Sequence, residues 1–83
     1  MLIEIVCIKV KVIDAQQEFE MHVSDSLSNA LIEVRCNLEK EGIYANHHII
    51  IINGKSLSRS NIKPESKINE KDVITFVPVV LGG

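Results

Sequence analysis

The sequence has 83 residues, a length that forms one domain and buries only about 60–65% of its unfolded surface. Its hydrophobic fraction of 46% and charged fraction of 24% are those of an ordinary globular protein. A net charge of −2 gives no basic footprint for nucleic acid or an anionic membrane. The longest apolar run, residues 49–52, is too short to span a bilayer, and no export signal is visible. Cys7 and Cys36 lack metal-site or CxxC spacing, so we expect a cytoplasmic protein without a disulfide framework.

Two strands open the predicted fold. Residues 2–13 predict the first strand, although the apolar alternation changes phase near residues 6–7. Such a change indicates either a bulge or a strand that is buried on both faces. After a hairpin turn at residues 14–16, residues 18–23 alternate cleanly and predict a half-buried strand.

One amphipathic helix follows these strands. Asp25 or Ser26 supplies a capping oxygen at its start, and Gly42 lies where a left-handed cap would end it. Between them, apolar residues recur every three or four positions and form one stripe: Leu27, Ala30, Leu31, Val34 and Leu38. We therefore expect a helix of about four turns that covers one face of a sheet.

The second half of the chain adds the remaining strands. Residues 48–52 predict a strand, Asn53-Gly54 a tight turn, and residues 55–57 a short partner strand. Residues 58–71 are polar and irregular, and residues 73–78 predict the final strand. A single helix must cover a single sheet, which gives an α+β fold of two layers. We expect a β-grasp, a mixed sheet of four to five strands with one helix packed across it.

The four consecutive isoleucines indicate a second apolar surface. Because side chains alternate along a strand, only two of these four can meet the helix. The sequence does not decide which pair faces outward, and we favour Ile49 and Ile51, joined by Thr75 and Val77 from the last strand. An exposed apolar cluster of this kind is typical of a partner-binding surface. The alternative is that the loop at residues 58–71 covers this face.

The last seven residues, 77–83, are apolar and uncharged, and they finish on two glycines. Two terminal glycines are expected by chance in only about 0.5% of sequences. We predict one domain, residues 1–83, in which residues 79–83 form a flexible C-terminal tail. The carboxylate of Gly83 is predicted to be the reactive group, and Gly82 gives it reach because glycine has no Cβ.

Three segments resemble the sulfur-carrier side of the ubiquitin-like superfamily, represented by the small subunit of molybdopterin synthase and the thiamine sulfur carrier. They are Ile51-Ile52-Asn53-Gly54-Lys55, Asn69-Glu70-Lys71-Asp72-Val73 and Phe76-Val77-Pro78-Val79-Val80-Leu81-Gly82-Gly83. Molybdopterin-type carriers commonly end on phenylalanine, any residue, two prolines, valine, any residue and two glycines. This sequence departs at Val79, where the second proline is usual, and at Leu81, where a small residue is often found.

The resemblance implies a function for the tail. An ATP-dependent, ubiquitin-activating-type enzyme adenylates the Gly83 carboxylate, and sulfur then replaces the adenylate. The resulting thiocarboxylate donates sulfur to a biosynthetic enzyme such as the molybdopterin synthase large subunit or thiazole synthase, with the molybdopterin type favoured. The chain itself is then not an enzyme and binds no cofactor, since ATP is used by the partner. Further partner-binding residues are Pro78, Val79, Val80 and Leu81.

Two other classes remain open at this point. A protein modifier would be joined through Gly83 to lysines of its targets, and a plain β-grasp interaction module would not use its glycines. Other signals have simpler explanations: His47 and His48 point opposite ways at a strand entrance and form a solvated loop pair rather than a metal site. Cys7 and Cys36 are expected to be small, semi-buried fillers. The sequence shows no catalytic constellation.

Overall fold

A computed structural model describes residues 4–45, 47–57 and 65–79. The elements in chain order are strands β1 (Ile5–Val12) and β2 (Gln17–Ser24), helix α1 (Leu27–Lys40), and strands β3 (His48–Ile52), β4 (Lys55–Ser56) and β5 (Val73–Pro78). The five strands form one sheet in the order β2-β1-β5-β3-β4. Strands β1 and β5 are parallel, and the other neighbours are antiparallel. This mixed sheet with one helix confirms the predicted β-grasp.

Strand β1 is regular, so the predicted bulge or two-sided burial is wrong. It pairs with β2 without a slip, from Ile5 opposite Ser24 to Val12 opposite Gln17. The buried side chains of β1 all have the same parity: Val6, Ile8, Val10 and Val12. The apparent change of phase arises because Ile5 faces outward, with 59% of its surface exposed.

The start of α1 differs from the prediction. Neither Asp25 nor Ser26 provides a side-chain cap; Ser26 is the N-cap residue, but its hydroxyl accepts no capping hydrogen bond. Instead, the first helical N–H, that of Leu27, donates to the carbonyl of Ser66 at 2.9 Å. A distant loop thus satisfies a donor that sequence reasoning assigned to a local side chain.

The end of α1 is as predicted. Gly42 has φ of +79°, which a side chain would oppose. Its N–H donates to the Glu39 carbonyl at 2.9 Å, and the Ile43 N–H donates to the Leu38 carbonyl at 2.9 Å. These two bonds form a Schellman motif, which satisfies the last carbonyls of the helix and turns the chain back toward β3.

The core lies between α1 and the inner face of the sheet. The helix contributes its predicted stripe, with Leu31 at the partly buried border. The largest fully buried side chains are Phe76, Ile8, Leu38, Ile74, Val10, Val12, Val23 and Val34. The Asn53-Gly54 turn, with positive φ at both residues, joins β3 to β4 as predicted. Within the described ranges, no helix is long and apolar enough to cross a membrane.

Candidate functional site

The outer face of β3 and β5 carries a continuous apolar surface. Ile49 lies opposite Val77, and Ile51 lies opposite Thr75. We call these four residues the β3–β5 face. Ile49 is 41% exposed and the other three are half-buried. Ile50 and Ile52 point into the core, which confirms the predicted orientation of both isoleucine pairs; the role of the face in partner binding stays a prediction.

The described part of the loop before β5 does not cover this face. Ser66 contacts the start of α1, and Ile68 is only 3% exposed among the core residues. The Ile68 N–H also donates to the Asp25 carbonyl at 2.7 Å. Residues 65–68 are therefore held at the beginning of the helix, whereas residues 58–64 lie outside the described part of the chain.

Two lysines of β1 border the β3–β5 face. Lys9 lies opposite Val73 and Lys11 opposite Thr75 in the parallel pairing of β1 with β5. Lys9 Nζ lies 3.0 Å from Glu18 Oε1, whereas Lys11 forms no ion pair with any described residue. The sequence analysis did not single out these two lysines. Their spacing of two residues on β1 indicates that they share one face of the sheet. It does not show that this face adjoins β5, because the sequence does not give the strand order.

The face leads directly into the C-terminal segment. Strand β5 ends at Pro78, which lies opposite His48. The next residue, Val79, is 45% exposed, and its N–H donates to the His47 carbonyl at 3.3 Å. The remaining predicted site residues, Val80, Leu81, Gly82 and Gly83, lie outside the described residues, so the predicted tail and its chemistry stay predictions.

A contact between a histidine and a carboxylate lies near the point where β5 ends. His48 Nε2 is 3.1 Å from both carboxylate oxygens of Asp14, which belongs to the turn between β1 and β2. The His48 side chain is only 10% exposed, and its ring meets Phe76 edge-on at 6.4 Å. The prediction of a solvated histidine pair is therefore wrong for His48, because its parity directs it toward the core. The described residues include no cluster of three or more metal-binding side chains.

The two cysteines differ in their surroundings. Cys7 is half-buried, as predicted, and lines a surface hollow of about 390 Å³ with Lys9 and Lys71. Cys36 is exposed on α1, so its predicted role as a semi-buried filler is wrong. Both thiols are free.

Comparison with known proteins rests on structure. No family model and no curated protein matches the sequence. The chain is similar to the small archaeal modifier protein 1 from Methanosarcina acetivorans, with TM-score 0.67, 17% identity, and coverage of 96% of this chain and 99% of that one. It is also similar to a ubiquitin-like protein from Trypanosoma brucei, with TM-score 0.62, 13% identity, and coverage of 93% and 98%. These likenesses show that the chain has the ubiquitin-like β-grasp fold.

Proposed function

We propose that this chain is a cytoplasmic sulfur-carrier protein that acts through the carboxylate of Gly83. It serves as a co-substrate rather than as an enzyme and binds no cofactor of its own. The observation that supports this function best is the position of the β3–β5 face. The face lies partly on β5, the strand that leads toward Gly82-Gly83, so one partner can bind both the face and the end of the chain.

The reach of the C-terminal segment fits this arrangement. Gly83 lies six positions after Val77, and six extended residues span only about 20 Å. An activating enzyme that binds the β3–β5 face therefore holds the reacting carboxylate within about 20 Å of that face. Glycines at the end let the carboxylate enter a narrow active site, because they lack Cβ.

The proposed reaction has three steps. An α-carboxyl group is ionised at neutral pH, and one carboxylate oxygen of Gly83 attacks the α-phosphorus of ATP. Pyrophosphate leaves and an acyl-adenylate forms on the activating enzyme. A cysteine persulfide of a donor protein then displaces AMP and forms an acyl disulfide. A second thiol of that donor attacks the donor's own sulfur in this disulfide, so the thiocarboxylate is released and the donor is left with a disulfide. Such a sulfur is available to a biosynthetic enzyme, and the pattern of Phe76, Pro78, Val80 and the two glycines favours the molybdopterin synthase large subunit over thiazole synthase.

The test compares two proteins that differ only in the reacting group. One carries the free acid at Gly83, and the other is prepared by ligation with a C-terminal amide. Each is incubated with ATP and the activating enzyme of the same organism, and its intact mass is measured. We expect an AMP adduct on the acid and none on the amide. Equal activation of both proteins would show that the mechanism is wrong.

A second function, that of a protein modifier, is favoured by the likeness to the small archaeal modifier protein 1. In that case a lysine amine of a target displaces AMP from Gly83 and an isopeptide bond forms. Because the first step is shared, the two functions separate only at the product. Mass spectrometry of protein isolated from its native cells distinguishes them: a carrier has sulfur in place of one terminal oxygen, whereas a modifier appears in covalent ladders.

A further inference from the structure

The outer edge of β2 is an open strand edge. Strand β2 is the outermost strand of the sheet and pairs only with β1 in the described structure. The Asp25 N–H donates to the Glu4 carbonyl at 2.9 Å, on the β1 side. The next residue back, Ser24, directs its N–H the opposite way, to Glu33 Oε2 at 3.0 Å.

This alternation identifies the free backbone groups. Successive residues of a strand direct their N–H and C=O to opposite sides. The residues that share the parity of Ser24 therefore direct these backbone groups away from β1, toward the open edge. They are Glu18, Glu20 and His22, and their outward backbone groups have no partner among the described residues. The edge therefore presents three donors and three acceptors, and the Glu33 carboxylate closes it at Ser24.

The two sides of this edge differ in chemistry. On the outer face of the sheet, Glu18 and Glu20 are exposed. Glu18 already pairs with Lys9 at 3.0 Å, whereas the Glu20 carboxylate forms no ion pair with a described residue. On the helix side, a groove of about 300 Å³ runs between β2 and α1. Its floor includes Phe19, which is half-buried, and Met21, which is 7% exposed. Asn37 Nδ2 lies 3.9 Å from the sulfur of Met21 and closes the floor from the helix.

We propose that the β2 edge binds an extended segment of a partner protein as a sixth strand of the sheet. Alternate side chains of that segment are basic and apolar. A basic side chain faces Glu20, whose carboxylate forms no ion pair with a described residue, and opposite charges on neighbouring strands attract each other. The apolar side chains enter the groove above Phe19 and Met21, and backbone hydrogen bonds to the free edge supply the rest of the affinity.

The same charges disfavour a second copy of this chain as the occupant. Antiparallel pairing of two β2 edges with Glu18 opposite His22 places Glu20 opposite Glu20. A shift by one pair places Glu18 opposite Glu20, and like charges directly opposite each other are destabilising. A shift in the other direction, with Glu20 opposite His22, requires Ser24 to pair with Glu18, but Glu33 already holds the Ser24 N–H. A basic strand meets none of these obstacles.

The test uses three nine-residue peptides and the full-length protein. The first peptide alternates lysine and valine, the second has glutamate at each lysine position, and the third is the lysine peptide with proline at its central valine. Binding is followed by NMR through the amide shifts and hydrogen exchange of Glu18, Glu20 and His22. We expect the lysine peptide to shift and protect these amides. The glutamate and proline peptides are expected to bind at least about tenfold more weakly.

Two pairs of variants connect the binding to this edge. His22→Pro removes an outward N–H that β1 does not use, whereas His22→Ala retains it; we expect loss of binding only for the proline variant. Glu20→Lys should lower the affinity for the lysine peptide about three- to tenfold. Glu39→Lys, the same charge change on an exposed position of α1, should leave it unchanged. The comparison of Glu20→Lys with Glu39→Lys keeps the test valid if the His22→Pro variant does not fold.

Three results would overturn the proposal. One is equal binding of the lysine and glutamate peptides, or no binding of either at several millimolar. Another is a set of shifts confined to the β3–β5 face. The third is self-association of the protein, seen by sedimentation and abolished by Glu20→Lys, which would assign the edge to a second copy. None of these measurements depends on Gly83, so the proposed carrier function is tested separately.

Discussion

The sharpest test of the β3–β5 face is the replacement Ile49→Asp. Ile49 is 41% exposed, lies opposite Val77, and contributes little to the core. A matched control is available in Ile32 on α1, which is 68% exposed on the other layer of the protein. Ile32→Asp makes the same chemical change and the same change of net charge. The two variants therefore carry the same new charge on different surfaces of the protein.

The expected effect on partner binding follows from the exposed area of Ile49. Full burial of an isoleucine side chain contributes about 1.5–3 kcal/mol, and the 41% still exposed in the free protein corresponds to about 0.6–1.2 kcal/mol. Burial of the new polar group in the interface costs a further ~1–3 kcal/mol. The total of about 2–4 kcal/mol raises the Kd of the complex roughly thirtyfold to several hundredfold.

The assay is calorimetric titration of each variant with the activating enzyme, supported by ATP–pyrophosphate exchange. Urea unfolding serves as the control for stability, because aspartate in a strand costs up to about 1 kcal/mol. We expect Ile32→Asp to bind like the parent protein. If Ile49→Asp and Ile32→Asp have the same Kd, the β3–β5 face is not where the activating enzyme binds.

Two further predictions concern stability. Ile50→Ala should lower the free energy of unfolding by about 2–5 kcal/mol, because Ile50 is only 8% exposed, and Ile49→Ala should lower it by less than half as much. Urea unfolding of the two variants measures the difference, and equal losses would contradict the assigned orientation of the two side chains. Gly42→Ala should lower the free energy of unfolding by about 1–2 kcal/mol, because φ of +79° is strained for alanine. The added Cβ meets no atom within 4 Å, so no steric clash adds to this cost. Thermal unfolding measures the loss, and a neutral result would mean that the helix does not end in the left-handed conformation.

Local patterns in the sequence predicted most of the fold because their causes are local. The stripe of α1, the cap at Gly42 and the Asn53-Gly54 turn each depend on residues a few positions apart. The period of two along a strand predicted that only two of the four isoleucines face outward but did not decide which two, and the structure places Ile49 and Ile51 there. The apparent bulge in β1 was an error of the same method, since the exposed apolar Ile5 imitated a change of phase.

The features that sequence reasoning missed all depend on distant partners. Asp14 and His48 are 34 positions apart and meet only because β5 lies between β1 and β3. The donor at the start of α1 is satisfied by the carbonyl of Ser66, from the other end of the chain. Such contacts depend on the order of the strands in the sheet, and the sequence alone does not show that order.

The position of the face on β5 also affects the free energy with which the predicted tail would bind a partner. If the predicted tail, residues 79–83, is free before it binds, ordering it costs on the order of 5–10 kcal/mol, and burial of three apolar side chains, Val79, Val80 and Leu81, contributes roughly 5–8 kcal/mol. The segment alone therefore gives almost no net affinity. The proposed contacts of a partner with Ile49 and Val77 would supply it without a further loss of backbone freedom, because both residues already lie in paired strands. The proposed carrier thus depends on a rigid surface to hold a reactive end in place.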